Sequence, residues 1–397
     1  MNRTISFVVI LTTFVSSLLH AAEPDKAKLR TWKDATGKFS VQAVLVRVLG
    51  KQVVLRRTDN KEISVPIAKL SATDRQYLKD FKPSTPPNAD DKTAVAALKK
   101  LGAEIEQDDQ GRAVELNLRR TKGTDAGLAH LKGLPNLREL NLESTQVSDA
   151  GLVHLKGLTG LKTLRLGGTK VTDAGLVQLK GLANLTDLKL SRTQVTDAGL
   201  VHLKGLKNLQ TLSLPRRITD AGLVHLKGMA NLETLHLPRR ITDAGLAHLK
   251  GLTGLRSLTL GFFLGSQISD KGMVHLQRLT NLQILDLKFT NVTDAGLAHF
   301  KGMNLKKLTI PTEARTDQGL QHYLAAVEPP IELDFGGNVG VPEWKLTDAG
   351  LVHLKGLTSL QNITLPKQIT DAGLVHLKGL TNLQELSLGG TKQPSDE

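Results

Sequence analysis

Two residue types that can do chemistry, aspartate and histidine, recur regularly through most of this sequence. Aspartate lies at eleven related positions: Asp125, Asp149, Asp173, Asp197, Asp220, Asp243, Asp270, Asp294, Asp317, Asp348 and Asp371. Histidine follows five residues later in ten of these eleven places: His130, His154, His202, His225, His248, His275, His299, His322, His353 and His376. Carboxylate and imidazole groups bind metal ions and exchange protons, so the two rows could form a metal site or a catalytic site.

The spacing of the two rows argues against both kinds of site. Residues five apart in a helix do not share a face. Neighbouring helices pack about 8–10 Å apart, whereas each ligand of a zinc ion must come within about 2.1 Å of it. The chain contains no cysteine and no G-x-S-x-G, H-E-x-x-H or P-loop motif. We therefore predict no metal, no cofactor and no enzymatic activity.

Lysine forms a third row, seven residues after the aspartates. Its nine members are Lys132, Lys156, Lys180, Lys204, Lys227, Lys250, Lys301, Lys355 and Lys378. The formal net charge of +14 permits an anionic partner. Because lysine is favourable at the negative end of a helix, the row is interpreted as structural, and no nucleic-acid partner is predicted. A ladder that binds an anionic polysaccharide is the alternative.

Aromatic residues make up only 3% of the chain, and most lie in one segment. Phe300 and Phe335 occupy leucine positions of the repeat described below and are predicted to be core residues. Four others fall in loops that share one rim: Phe262, Phe263, Phe289 and Trp344. Aromatic side chains clustered on a rim can anchor a protein partner. The alternative is that they fill a gap where the repeat changes curvature.

All these rows follow from one internal repeat. The pentapeptide Thr-Asp-Ala-Gly-Leu, or a close variant, recurs at intervals of 23 to 31 residues. In one copy, Leu164 and Leu166 alternate with polar residues, which predicts a short strand with both leucines facing inward. Thr172 is predicted to cap a helix, Asp173 to lie in its positive first turn, and Gly175 to let a neighbouring coil pack closely. One such unit cannot bury its apolar face alone, so the copies are predicted to stack.

This repeat resembles the leucine-rich repeat family, close to the variety found in F-box substrate receptors. The resemblance covers residues 112–391, about 11–12 repeats, and residues 93–111 are predicted to form a capping helix and a first turn. It implies an α/β solenoid with a parallel sheet on the concave face and helices on the convex face. The central outward row of that sheet supplies further candidate partner contacts: Arg165, Lys189, His236 and Asp286.

Residues 28–81 form a different unit of short strands. Alternating and β-branched residues predict strands at 39–46, 52–57 and 62–66, and Ser71 is a plausible cap for the short helix that follows. Several motifs of this unit resemble the Sla-one homology domain: Arg30-Thr31-Trp32-Lys33-Asp34, Gly37-Lys38-Phe39, Val53-Val54-Leu55 and Lys69-Leu70-Ser71-x-x-Asp74-x-x-Tyr77-Leu78.

That resemblance implies a small all-β, SH3-like barrel that binds NPF-x-D peptides through a basic contact. The contact falls on Arg56 and Arg57 of the second predicted strand. The alternative for these two arginines is a solvated edge strand.

The two ends and the linker have their own composition. A basic start, an apolar run from Ile5 to Leu19 and the small pair Ala21-Ala22 predict a signal peptide at residues 1–22. The expected location is secreted or periplasmic, with no membrane span in the mature chain; an uncleaved membrane anchor is the alternative. Residues 82–92 are rich in proline and predicted to be a linker, and residues 392–397 a tail.

The sequence thus predicts an exported, non-enzymatic binding scaffold. Both the solenoid and the SH3-like unit are expected to contact protein partners of unknown identity. Two alternatives remain: a binder of anionic cell-surface polysaccharide and an F-box-like substrate-recognition protein.

Overall fold

The computed structural model describes residues 29–49, 52–59, 61–80, 90–260, 265–336 and 343–388. The chain divides into two compact units, Met1–Pro86 and Pro87–Glu397. The predicted signal peptide lies outside the described residues, as do most of the predicted linker and the predicted tail.

The first unit is an antiparallel sheet of four strands in sequential order, followed by a helix. Its elements are β1 Arg30–Lys33, β2 Ser40–Leu49, β3 Gln52–Arg57, β4 Glu62–Pro66, a 3₁₀ turn Ile67–Lys69 and α1 Ala72–Asp80. The three predicted strands and the helix are confirmed. Strand β1 was not predicted, because its four residues are too few to show an alternating pattern. Its one buried side chain, Trp32, lies in the core of the sheet with Ala43, Val53 and Leu55.

A buried carboxylate, that of Asp74, ties the helix of this unit to strand β1. It accepts hydrogen bonds from the guanidinium of Arg30 at 2.6 Å, the backbone N–H of Lys33 at 2.7 Å and the hydroxyl of Ser71 at 2.9 Å. The backbone N–H of Asp74 donates to the Ser71 hydroxyl at 3.1 Å, which confirms Ser71 as the helix cap. The Arg30 guanidinium also stacks 3.8 Å from the centre of the Tyr77 ring.

The second unit contains a ten-stranded sheet, β5 to β14, and a three-stranded sheet, β15 to β17. Every strand pairs in parallel with its neighbours except β5, which is antiparallel to β6. The strands are β5 Glu104–Gln107, β6 Ala113–Asn117, β7 Glu139–Asn141, β8 Thr163–Arg165, β9 Asp187–Lys189, β10 Thr211–Ser213, β11 Thr234–Leu237, β12 Ser257–Leu260, β13 Ile284–Asp286, β14 Lys307–Thr309, β15 Glu332–Asp334, β16 Asn362–Leu365 and β17 Glu385–Leu388.

Helical segments on the other side of the unit are short. The α-helices are α2 Lys92–Lys100, α3 Asp125–Leu128, α4 Asp149–Leu152, α5 Asp173–Leu176, α6 Asp220–Leu223, α7 Asp243–Leu246, α8 Asp270–Met273, α9 Asp294–Leu297, α10 Asp317–Ala326 and α11 Asp371–Leu374. The 3₁₀ segments are Ala129–Gly133, Val153–Leu155, Val177–Gly181, Asp197–Gly205, Val224–Leu226, Ala247–Gly251, Ala298–Phe300, Thr312–Ala314, Asp348–Leu354 and Val375–Leu377. In most repeats one α-helical turn thus continues as a 3₁₀ turn.

The core of this unit is a continuous stack of leucines between sheet and helices. Leu164 and Leu166 of one repeat are fully buried, as are Leu188 and Leu190 of the next. The predicted leucine-rich-repeat solenoid of the α/β class is confirmed. At its N-terminal end α2 packs Leu98 into the same core.

The sequence predicts Thr93 as the cap of α2, and the structure shows a different residue there. The side chain of Asp91 accepts from the backbone N–H groups of Thr93 and Ala94. Asp91 is therefore the capping residue, not Thr93, since a carboxylate one position before the helix reaches two free N–H groups.

From Asp125 to Asp348, the aspartate of each repeat binds the following repeat as well as lying in its own first turn. The Asp149 carboxylate accepts from the backbone N–H of Thr172 at 2.8 Å and from its hydroxyl at 2.6 Å. The hydroxyl of Thr172 in turn accepts from the N–H of Ala174, so the predicted cap is confirmed. A Cβ added at Gly175 would overlap Oδ1 of Asp149, which explains why glycine follows the aspartate.

Candidate functional site

The outward residues of the concave sheet form a row of polar side chains that crosses neighbouring strands. In the register of the parallel strands, Arg165 lies opposite Lys189, and Lys189 lies opposite Ser213. Ser213 lies opposite His236, and two strands further on the row reaches Asp286. Adjacent strands are about 4.8 Å apart, so the structure brings the four predicted residues Arg165, Lys189, His236 and Asp286 into one straight row.

A second row of charges runs beside this one and was missed by the sequence analysis. Glu115 lies opposite Glu139, and Thr163 lies opposite Asp187. The signal was present, because each residue stands two positions before the predicted row and therefore on the same face of its strand. The pKa of Glu115 is raised, first by burial and then by repulsion from Glu139 and Glu106.

Opposite charges in these rows lie close together without pairing. Oδ1 of Asp187 and Nε of Arg165 are both buried, and neither has a hydrogen-bond partner among the described residues. Burial raises the pKa of Asp187, although the positive charges of Lys189 and Arg165 oppose the shift. We call Glu115, Glu139, Arg165, Asp187 and Lys189 the mixed-charge patch.

His236 lies beside the mixed-charge patch, on its C-terminal side. Its Nδ1 lies 3.1 Å from the Thr259 hydroxyl oxygen. The pKa of His236 is lowered, first by burial and then by the charge of Lys189, while Asp286 acts in the opposite direction. His236 is therefore neutral at neutral pH, and it offers a partner hydrogen bonding without charge.

Trp344, one of the four residues of the predicted aromatic rim, is buried. The side chain of Trp344 is only 9% exposed. Its ring meets those of Phe335 and Tyr323 edge to face, with centroids 5.1 and 6.1 Å away. Trp344 is therefore packed into the core against Phe335 and Tyr323, which favours the gap-filling alternative over a partner anchor. Phe300 and Phe335 are buried, as predicted.

Of the other three aromatic residues of the predicted rim, only Phe289 lies among the described residues. Phe289 is half-buried, and the ammonium of Lys288 lies 5.3 Å from its ring centre. Phe262 and Phe263 lie outside the described residues. Without Trp344, the rim does not form the four-residue anchor that was predicted.

The alternative for the arginines of the first unit, a solvated edge strand, is wrong. Strand β3 pairs with both β2 and β4, so Arg56 and Arg57 lie on a central strand and not on an edge. Arg56 forms an ion pair with Glu62 at 2.8 Å, and Arg57 approaches Asp59 at 3.4 Å. Both arginines are exposed enough to meet a peptide, but each already faces a carboxylate.

The histidine row lies on the helical side of the solenoid. Among the described residues, no group of three or more histidine, aspartate or glutamate side chains could hold a metal ion. In the same part of the chain, no helix has the length and apolar character needed to cross a membrane.

Two families match separate parts of the chain. Residues 20–85 match SLA1 homology domain 1. Residues 133–155, 181–203 and 278–300 match the leucine-rich repeat family. The resemblances predicted for both parts are thus confirmed, and both families are binding domains.

Two fungal proteins and one solved structure are similar to parts of this chain. The actin cytoskeleton-regulatory complex protein sla1 of Schizosaccharomyces pombe is 42% identical over 57 residues, which are 14% of this chain and 4% of that protein. The protein of the same name from Sclerotinia sclerotiorum is 35% identical over 57 residues, or 14% of this chain and 5% of that protein. Among solved structures, an internalin from Listeria monocytogenes is 20% identical with a TM-score of 0.44, covering 76% of this chain and 96% of the internalin.

These relatives overturn the predicted location. The fungal proteins that share the first unit are named as regulators of the actin cytoskeleton, which is a cytoplasmic structure. The prediction of a secreted or periplasmic chain is therefore wrong. It depended on the composition of residues 1–22 alone, and these lie outside the described residues.

Proposed function

We propose that this chain, which joins a SLA1 homology domain 1 to a leucine-rich-repeat solenoid, is a protein-interaction scaffold whose mixed-charge patch binds a protein partner. The two families support a scaffold role in general terms. The location of the contact on the concave sheet is the specific part of the proposal.

One observation carries the proposal: two side chains of the patch, Arg165 and Asp187, each hold a buried polar atom with no hydrogen-bond partner among the described residues. A buried polar atom without a hydrogen bond destabilises a fold by about 1–3 kcal/mol. Arg165 Nε and Asp187 Oδ1 are two such atoms on neighbouring strands. Both residues are only half-buried, so a rotation of either side chain would let a partner supply an acceptor to Arg165 and a donor to Asp187. This would remove the penalty, and the gain would contribute to affinity.

The mixture of signs favours a protein over a polyanion. Glu115, Glu139 and Asp187 would repel a polysaccharide that carries only negative charge, whereas Arg165 and Lys189 would attract it. A protein surface can present carboxylate and ammonium groups in the matching order. Uncharged His236 at the end of the patch adds a neutral hydrogen-bonding position.

The first unit supplies the second contact of the proposed scaffold. Its fungal relatives are named as members of a regulatory protein complex. We infer that the SLA1 homology domain 1 of this chain also binds a protein segment. Arg56 and Arg57 are the proposed basic contact, and a peptide carboxylate would have to displace Glu62 or Asp59.

The test compares two double variants of the full chain with equal loss of charge. Arg165→Ala with Lys189→Ala removes the basic half of the patch. Lys162→Ala with Lys207→Ala removes two exposed lysines outside it. Partners captured by the wild type are identified by mass spectrometry, and their affinities for all three proteins are measured by calorimetry.

The patch variant should bind the partner about tenfold or more weakly, and the control variant should bind like the wild type. Equal affinities for all three proteins would exclude the patch as the binding site.

A further inference from the structure

The helical side of the solenoid exposes an apolar row where a soluble surface would ordinarily be polar. The fourth residue after the aspartate is valine in seven repeats, and each of these side chains is between 38% and 50% exposed: Val153, Val177, Val201, Val224, Val274, Val352 and Val375. Val153, Val177, Val201 and Val224 lie on four consecutive repeats, and exposed apolar side chains that lie side by side in this way are typical of interaction sites.

Exposed lysines accompany the valines. In one repeat Ala150, Val153 and Lys156 follow each other at intervals of three and are all exposed. Residues at this interval share a face, most closely in the 3₁₀ turns that end these helices. We call the exposed valines together with the nine repeat lysines the Val–Lys ribbon.

The ribbon has an unbalanced positive charge. None of the nine repeat lysines forms an ion pair with another described residue. The aspartates of the same helices do not neutralise them, because their carboxylates are turned toward the next repeat, as Asp149 is toward Thr172. The surface therefore offers apolar contact and positive charge in the same place.

The row of valines in the ribbon is interrupted at Ala247, and we call the pocket at this position the notch. Alanine replaces valine at Ala247, next to Val224, and an open pocket of about 220 Å³ lies there. Its walls include Val224 and Ala247, and Lys227 and Lys250 stand at its border. The cavity can take a large aliphatic or aromatic side chain, with a carboxylate on either side of it near a lysine.

We propose that the Val–Lys ribbon binds an acidic segment of a protein that carries apolar side chains, one of which enters the notch at Ala247. The inference rests on the proposed scaffold function, to which it adds a second binding surface on the opposite side of the solenoid. Charge complementarity selects an acidic occupant, and the valines and the notch select one with apolar side chains. A polyanion without apolar groups would leave that surface exposed to water.

The test uses the full chain and two labelled synthetic peptides of equal length, one of alternating leucine and glutamate and one of glutamate only. Binding is measured by fluorescence anisotropy. Ala247→Phe fills the notch, and Lys227→Gln with Lys250→Gln removes the charges at its border. A matched control outside the ribbon, Lys162→Gln with Lys207→Gln, likewise removes two exposed lysines.

The wild type should bind the leucine–glutamate peptide at least tenfold more tightly than the glutamate peptide. Ala247→Phe and the lysine double variant should each weaken that binding about tenfold, with unchanged melting temperatures, and the control should have no effect. Equal binding of the two peptides would mean that the ribbon is a plain cationic surface, and the proposal would be wrong. It would be equally wrong if the leucine–glutamate peptide did not bind, or if the notch variants bound it normally.

Binding of the peptide to the Val–Lys ribbon should not depend on the mixed-charge patch of the concave sheet. The variant Arg165→Ala with Lys189→Ala should bind the leucine–glutamate peptide like the wild type. If it loses native partners yet keeps the peptide, both surfaces are sites. If native partners are unaffected but the peptide depends on the notch, only the scaffold contact on the concave sheet is refuted.

Discussion

The carboxylate of Asp173 holds Thr196 of the following repeat by two hydrogen bonds. Oδ1 accepts the backbone N–H of Thr196 at 2.7 Å, and Oδ2 accepts its hydroxyl at 2.6 Å. The same relationship joins Asp197 to Thr219 and Asp220 to Thr242. A charged acceptor thus fixes the start of each helix from the repeat before it, and the solenoid is cross-linked along its length by side chains as well as by its sheet.

Removing one of these links should destabilise the solenoid. Asp173→Ala leaves an N–H and a hydroxyl without their charged acceptor, so we expect a loss of about 1–3 kcal/mol. The matched control is Asp371→Ala, since no such bond from Asp371 is recorded among the described residues. Urea denaturation followed by circular dichroism gives both values. Similar losses for the two variants would show that the aspartate acts only within its own helix.

The glycine two positions after each repeat aspartate should not tolerate an added methyl group. In Gly175→Ala the new Cβ would overlap the Asp149 carboxylate, so the variant should lose about 2 kcal/mol or more and have a lower melting temperature. At Gly181, a Cβ would meet nothing within 4 Å. Gly181→Ala should therefore be neutral or slightly stabilising, and an equal effect of the two changes would contradict the packing described here.

The stability of the concave sheet should depend on the charge of Asp187. Because burial raises the pKa of Asp187, this carboxyl group binds a proton more tightly in the folded chain than in the unfolded chain. Its contribution to stability therefore falls as the pH rises above the ordinary value of 3.8. Asp187→Asn mimics the protonated form. It should melt at a higher temperature than the wild type at neutral pH, and the difference should vanish below pH 3.8. A lower melting temperature at neutral pH would mean that the carboxylate is stabilised inside the chain.

Trp344 should behave as a core residue. Trp344→Ala opens a cavity beside Phe335 and Tyr323, and we expect a loss of about 3–5 kcal/mol. Phe289→Ala, at a half-buried position, should lose clearly less. Melting temperatures of both variants check this, and an unaffected Trp344→Ala protein would restore the residue as a surface anchor.

The sequence by itself determined the repeating architecture. Alternating leucines such as Leu164 and Leu166 specify an inward-facing strand within one repeat, and Thr172 specifies where the helix begins. Arg165 and Lys189 could be placed in one row because strand parity depends on neighbouring residues only. Sequence motifs also identified the small β domain, because the residues of its motif around Ser71 and Asp74 lie close together in the sequence.

Tertiary structure alone decided the contacts between repeats. The partner of Asp149 is Thr172, 23 residues away, and its position depends on the rise and twist with which repeats stack. Whether Arg165 and Asp187 pair or remain separate depends on the same stacking. Trp344 is buried because the rings of Phe335 and Tyr323 pack against it, and an aromatic residue in a loop can equally face solvent. Local patterns encode each repeat, whereas burial and partnership arise only when one repeat is placed against the next.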